Sequence, residues 1–192
     1  MLFRSGQHLP AFLTATAACF FFAYGTARLC RDTDRETILR VAAVILTVIV
    51  LNYLLVNILK ILWGRPRMRL VAADSRVSFA PWWRPGGALR DILTRTGTAA
   101  DEFKSFPSGH MANASAAMLI TLLPVLRPSL GRRRSLLFAV GFGWTALVAL
   151  SRIVAGAHYL TDTVAGFAIG LAVLHFAFRL ILPAAYSQDK KG

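Results

Sequence analysis

A basic residue, a histidine and an aspartate follow one another closely in this chain, as Ser151-Arg152, then His158, then Asp162. If a helix begins near His158, the four-residue spacing puts Asp162 one turn later on the same face. A carboxylate there can accept the Nδ1 proton of the imidazole, leaving Nε2 with a lone pair to attack an electrophile. Between residues 135 and 188, Asp162 is the sole acidic side chain. A single His and Asp at this spacing is as often structural as chemical; Arg152 beside them tips the reading toward chemistry.

Two further stretches carry polar groups with a shared purpose. Phe106-Pro107-Ser108-Gly109-His110 stands directly before an apolar run. It reads as a helix entry with Ser108 near the N-cap, and Gly109 lets the backbone come close to a ligand. Free N–H groups at such an entry favour anions, and His110 would stand beside them as a proton donor. Taken alone, this is an ordinary capping sequence. Lys60 through Arg67 supplies fixed cations at the end of another apolar run; alone it would be an interfacial anchor. Two His and one Asp could also form a metal triad. Lys60, Arg67 and Arg152 would repel a divalent cation and stabilise a phosphoryl group, so the charge balance favours a bound phosphate without metal or cofactor.

These residues sit at the ends of segments long enough to cross a bilayer, which takes about 20 mostly apolar residues in helical form. Five such segments are expected, at residues 9–28, 38–63, 110–126, 135–151 and 159–182, giving an all-α polytopic membrane bundle of five helices, or six. The whole chain, residues 1–192, reads as a single domain. One long polar loop of about 40 residues, with Trp82 and Trp83 near two prolines, joins spans two and three and is expected at headgroup level. The first segment resembles a secretory signal in hydropathy but is followed by no small-residue cleavage pattern, so it is expected to be retained. Gly166 and Gly170 form a small-xxx-small pair suited to close packing within the fold. Asn52 and Asn57 are expected to bond between helices, Asn113 to lie near His110 and support it or bond to a neighbouring span, and His175 to be packed or hydrogen-bonded. Cys19 and Cys30, eleven residues apart, read as packing residues.

Composition agrees with a membrane chain. Of 192 residues, 56% are hydrophobic, and 22 Lys and Arg stand against 9 Asp and Glu, for a net charge of +13. The basic residues flank apolar segments instead of lining one polar face, which argues against nucleic acid as a partner. Alternation of spans brings Lys60, Arg65, Arg67, His110, Arg152, His158 and Asp162 to one membrane face. The arginines of residues 28–40 and 127–134 fall on the other. Short, densely basic loops are usually cytoplasmic, so the polar cluster is expected to face outward.

Lys60 followed seven residues later by Arg67, then Pro107-Ser108-Gly109-His110, then Ser151-Arg152 with His158 and Asp162, resembles the three-part signature of the type 2 phosphatidic acid phosphatase superfamily. The resemblance implies that His158 becomes a phosphohistidine, that Asp162 orients it and that His110 protonates the leaving group. It also implies that Lys60, Arg67, Ser108, Gly109 and Arg152 cradle the phosphate, with no metal needed. One departure concerns the first motif, where Met68 follows Arg67 and an Arg-Pro pair stands earlier at Arg65-Pro66; Arg67 is retained for its spacing and Arg65 held in reserve. The expected activity is hydrolysis of a lipid phosphate or diphosphate, such as undecaprenyl diphosphate, phosphatidylglycerophosphate or phosphatidic acid, at the outer face of a bacterial plasma membrane. Transfer to an alcohol acceptor by the same residues, and non-catalytic binding or transport of a lipid phosphate, are the competing readings. The apolar spans argue against a soluble haloperoxidase of related site design. Oligomeric state is left open.

Overall fold

In the computed structural model, residues 24–182 are described; they are helical throughout their ordered elements, with no strand among them. The expected first span lies almost wholly outside these residues, of which 24–29 are helical. Helix α1 runs Arg35–Trp63, α2 Met68–Ala73, α3 Gly87–Arg95, α4 Gly109–Ala114, α5 Leu123–Leu126, α6 Arg134–Val154 and α7 Leu160–Ile181. Four stretches of the described residues are long and apolar enough to cross a membrane: Arg35–Ala73, Gly109–Leu126, Pro128–Val154 and Leu160–Ile181.

Helix α1 starts where the Asp34 side chain accepts from the Thr37 N–H at 2.8 Å and ends at Gly64, whose φ of 60° lets its N–H reach the Lys60 carbonyl. Its 29 residues span roughly 43 Å at 1.5 Å per residue, more than the hydrocarbon core requires. Val41, Val44, Val48, Asn52 and Val56 form its buried seam. The three valines nearest the start of α1 join Leu122, Val173, Ala177 and Leu182 in the main core. Apolar side chains elsewhere on α1 and α6 point outward: Leu46, Ile49, Ile58, Leu147 and Leu150 are all exposed, as lipid-facing residues must be.

The third span is not one regular helix. A 3₁₀ stretch, Ser115–Leu122, separates α4 from α5. Ser115 and Thr121 hydroxyls donate to carbonyls three residues back, Ala112 and Met118, each at 2.6 Å, and Pro124 lacks an N–H, so regular i−4 bonding is contested along this run. Helix α7 packs against it without intervening side chains. A Cβ at Gly166 would lie 2.3 Å from the Ser108 carbonyl oxygen, and one at Gly170 would lie 1.8 Å from the Ser115 hydroxyl. The small-xxx-small pair therefore serves packing inside the fold.

Between spans two and three the chain is more ordered than a polar loop would be. It contains α2, α3 and a 3₁₀ turn at Ala100–Phe103, gathered on a small core of Val77, Leu93 and Phe103. Backbone bonds fasten this cap to the bundle: the Arg67 N–H donates to the Glu102 carbonyl at 2.8 Å, Ser105 to Arg65 at 3.1 Å and Gly86 to Trp63 at 2.7 Å. Trp82 and Trp83 are exposed on it. At the far end of the bundle, Thr33 donates to the Leu126 carbonyl at 2.7 Å, joining the entry of α1 to the exit of α5.

Candidate functional site

The motifs meet at the end of the bundle under the cap. Tyr159 is the N-cap of α7, and the Asp162 carboxylate turns back to accept its backbone N–H at 2.9 Å. This reciprocal cap fixes Asp162 at the helix start, where a carboxylate is also favoured by the helix dipole. Asp162 and His158 are both completely buried. A buried carboxylate needs partners, and Asp162 has them: Arg65 Nη1 at 2.5 Å and the Ser105 hydroxyl at 2.5 Å.

The histidine is held differently from the expectation. His158 Nδ1 lies 2.8 Å from the Ser105 carbonyl oxygen and 3.8 Å from the nearer Asp162 oxygen. A carbonyl can only accept, so Nδ1 carries the proton and Nε2 the lone pair, the tautomer the sequence pattern anticipated by another route. The reason is competition: Oδ2 of Asp162 is taken by the Ser105 hydroxyl and the Tyr159 N–H, while the Ser105 carbonyl is left to the imidazole. Ser105 thus bridges the two, its side chain on Asp162 and its backbone on His158. Nε2 is buried and has no hydrogen-bond partner.

Arg65 explains the departure in the first motif. It is 1% exposed, and its Nε donates to the Ala80 carbonyl at 2.8 Å and its Nη1 to Thr161 Oγ1 at 2.9 Å as well as to Asp162. Its guanidinium carbon lies 4.2 Å from the centre of the Tyr159 ring. Burial raises the Tyr159 phenol above its ordinary pKa, so the ring over Arg65 stays neutral. So enclosed, Arg65 works as a lock between α1, the cap and α7, and has no open side to offer a ligand. Arg67 is half-buried at the N-cap of α2, with Nε donating to the Asp101 carbonyl at 2.9 Å. The cap that holds it is tied down by Arg69, which grips the Glu102 carboxylate and whose N–H donates to the Gly156 carbonyl at 3.0 Å. The Arg69 bonds lower the Glu102 pKa and keep that carboxylate ionised.

The remaining expected residues converge on the same spot. Lys60 reaches from α1 to the entry of α4: its ammonium donates to the Lys104 carbonyl at 3.3 Å and stands 3.5 Å from where a Gly109 Cβ would be. A Cβ at Gly109 would meet that ammonium in ordinary van der Waals contact. Ser108 is buried as the N-cap of α4, its hydroxyl accepting from Met111 N–H at 3.4 Å and its own N–H donating to the Asp162 carbonyl at 2.9 Å. The first-turn N–H groups that follow it have no earlier helical carbonyl to bond. His110 is exposed, with its ring centre 6.1 Å from that of His158. Arg152, Lys60, Arg67 and His158 all lie near enough to His110 to act on it electrostatically. Among the described residues, no three His, Cys, Asp or Glu side chains cluster as metal ligands.

Some secondary expectations are corrected. Asn52 does bridge helices, donating to the Ala112 carbonyl at 3.2 Å, whereas Asn57 bonds within α1 to the Tyr53 carbonyl at 2.8 Å. That spacing of one turn offers Asn57 a local acceptor before any neighbouring helix. His175 is exposed instead of packed, because the buried stripe of α7 runs through Gly166, Gly170, Val173 and Ala177. Cys30 is an unpaired thiol, half-buried, and Cys19 lies outside the described residues. Arg65 as lock and Ser105 as bridge were not foreseen; the Arg-Pro pair was a signal for the first, and nothing in the motif flagged the second.

Comparison with known proteins adds two findings. A family model described as the PAP2 superfamily matches residues 41–185. A phosphatidylglycerophosphatase B of Bacillus subtilis (strain 168) is 32% identical over 69 residues, which cover 35% of this chain and 34% of the relative. The aligned stretch thus spans about a third of the relative's length. No solved structure matches the chain.

Proposed function

The chain belongs to the PAP2 superfamily, and from that premise we propose that it is an integral-membrane phosphatase that hydrolyses lipid phosphates or diphosphates through a phosphohistidine at His158. The observation that carries the reading is the buried, unpartnered Nε2 of His158, whose opposite nitrogen is fixed as the proton-bearing one. A buried lone pair on an imidazole held by the Ser105 carbonyl is suited to attack on phosphorus.

In this scheme Nε2 forms a bond to phosphorus while the bond from phosphorus to the leaving oxygen breaks. His110 donates a proton to that oxygen, so the lipid alcohol, or a lipid monophosphate from a diphosphate, departs neutralised. Lys60, Arg67 and Arg152, with the backbone at Ser108 and Gly109, hold the equatorial oxygens as charge spreads over them. Water then attacks the phosphohistidine, His110 takes its proton, and the nitrogen–phosphorus bond breaks to release inorganic phosphate. Asp162 acts on His158 through Ser105 and on the cap through Arg65; it is a positioning residue. No step requires a metal. The basic turn at residues 127–134 is read as cytoplasmic, which faces the site outward from a bacterial plasma membrane.

Phosphatidylglycerophosphate is the first substrate to try, since the similar Bacillus subtilis protein is a phosphatidylglycerophosphatase by name; phosphatidic acid and undecaprenyl diphosphate follow. Phosphate release from these lipids in detergent, with a chelator present, tests the proposal. Release that persists with chelator and vanishes in His158→Ala is expected. Release abolished by chelator, or binding and transport intact in His158→Ala with no release by the parent protein, would reject it.

A further inference from the structure

Below His110, on the side of the bundle that faces lipid, a cavity of about 530 Å³ is lined by Ile49, Asn52, Tyr53 and Leu54 from α1 and by Asn113 and Ala116 from the third span. Its walls are those of a hydrocarbon slot, yet two amides open into it. Asn52 is 2% exposed, and its Nδ2 is committed to the Ala112 carbonyl. Its Oδ1 is buried with no partner. An acceptor orphaned at this depth costs free energy that water cannot repay. Asn113 is an exposed side chain lining the same cavity, with two N–H groups to give.

The slot begins about one helical turn from the phosphate-binding residues. Asn113 follows Gly109 by four residues, about 6 Å along a helix, and Gly109 is where the Lys60 ammonium sits. Nε2 of His158 attacks from one side of phosphorus and the leaving oxygen departs toward His110, so the lipid must hang on the His110 side, above Asn113. In a diacylglycerol phosphate, only the glycerol carbons separate the phosphate from the ester carbonyls, which puts those acceptors at the level of the amide pair.

We propose that Asn52 and Asn113 form a specificity subsite for the ester-linked neck of a diacylglycerol phosphate. Asn52 Oδ1 takes one N–H of Asn113 and thereby aims the other at an ester carbonyl. An isoprenyl chain has no acceptor there, and an ether-linked chain lacks the carbonyl oxygen and offers only a weaker ether oxygen, so that N–H is unpaired or poorly paired. The inference rests on the phosphatase reading for its substrate but makes a separate claim about the slot.

The test compares dioleoyl phosphatidic acid with its di-ether analogue, in the parent protein and in Asn113→Leu, by kcat/KM for phosphate release. The parent should favour the ester lipid roughly tenfold, the worth of one well-placed hydrogen bond, and Asn113→Leu should bring the ratio close to one. A parent ratio near one overturns the proposal, as does an equal loss on both lipids in Asn113→Leu, the result expected if the apolar segment at residues 9–28 occupies the slot instead. Binding of the same lipids to His158→Ala, followed by native mass spectrometry, needs no turnover. A tenfold ester preference there that disappears on adding Asn113→Leu supports the subsite even if no lipid phosphate is hydrolysed, in which case the phosphatase reading alone fails. Equal binding of both lipids overturns it.

Discussion

The two ends of the bundle are both rich in arginine, and they use it in opposite ways. Under the cap, the Arg65 side chain is enclosed by groups from two other segments, residues 79–80 and 159–162, with Asp162 lying 97 positions further along the chain. At the other end Arg132, Arg133 and Arg134 are consecutive and exposed around the turn into α6. A run of neighbouring cations needs no fold to assemble it and stays solvated or in the headgroups. Cations gathered from separate segments and stripped of water persist only where the fold supplies counter-charge, which is why the proposed chemistry is placed at that end.

Four variants sharpen the contrast. His158→Ala should reduce phosphate release by at least about 10,000-fold while leaving the protein folded and extractable, since the nucleophile has no substitute. Arg65→Met should lower stability by about 3–5 kcal/mol, because it strands the buried Asp162 charge; thermal unfolding in detergent would read it. Ser105→Ala removes a donor from Asp162 but keeps the carbonyl that holds His158. A loss of about 1–3 kcal/mol in stability is expected, with a smaller fall in activity than His158→Ala produces; steady-state kinetics beside a melting curve separates the two. The double change Arg132→Gln with Arg133→Gln should leave both activity and melting within about 0.5 kcal/mol of the parent, the usual range for surface positions. A large loss of activity there would collapse the distinction between the ends.

What could be read from the chain follows from how local each signal is. The nearness of His158 to Asp162 was legible from their spacing, though not the contact itself, since Nδ1 of His158 goes to the Ser105 carbonyl and lies 3.8 Å from Asp162. The glycine pair of α7 was legible because its spacing is helical. The boundaries of α1, α6 and α7 were legible within a few residues, since uninterrupted apolar runs and Gly64 mark them. The break in the third span was not, because it depends on Ser115 and Thr121 choosing carbonyls three residues back, which their types permit but do not require. Least legible was the hold on His158. It is made by a backbone carbonyl, and a backbone atom leaves no trace in residue type. The role of Arg65 was half-visible: its proline neighbour pointed to it, but only the folded cap reveals that it faces Asp162.

The central claim is a covalent one and can be trapped. Mixing the protein with a lipid whose terminal phosphate is radiolabelled and quenching in alkali within a turnover should leave label on the chain that is stable to base, labile to acid and located on the peptide containing His158. Rapid turnover with no protein-bound label, or label on a hydroxyl such as Ser108, would contradict it.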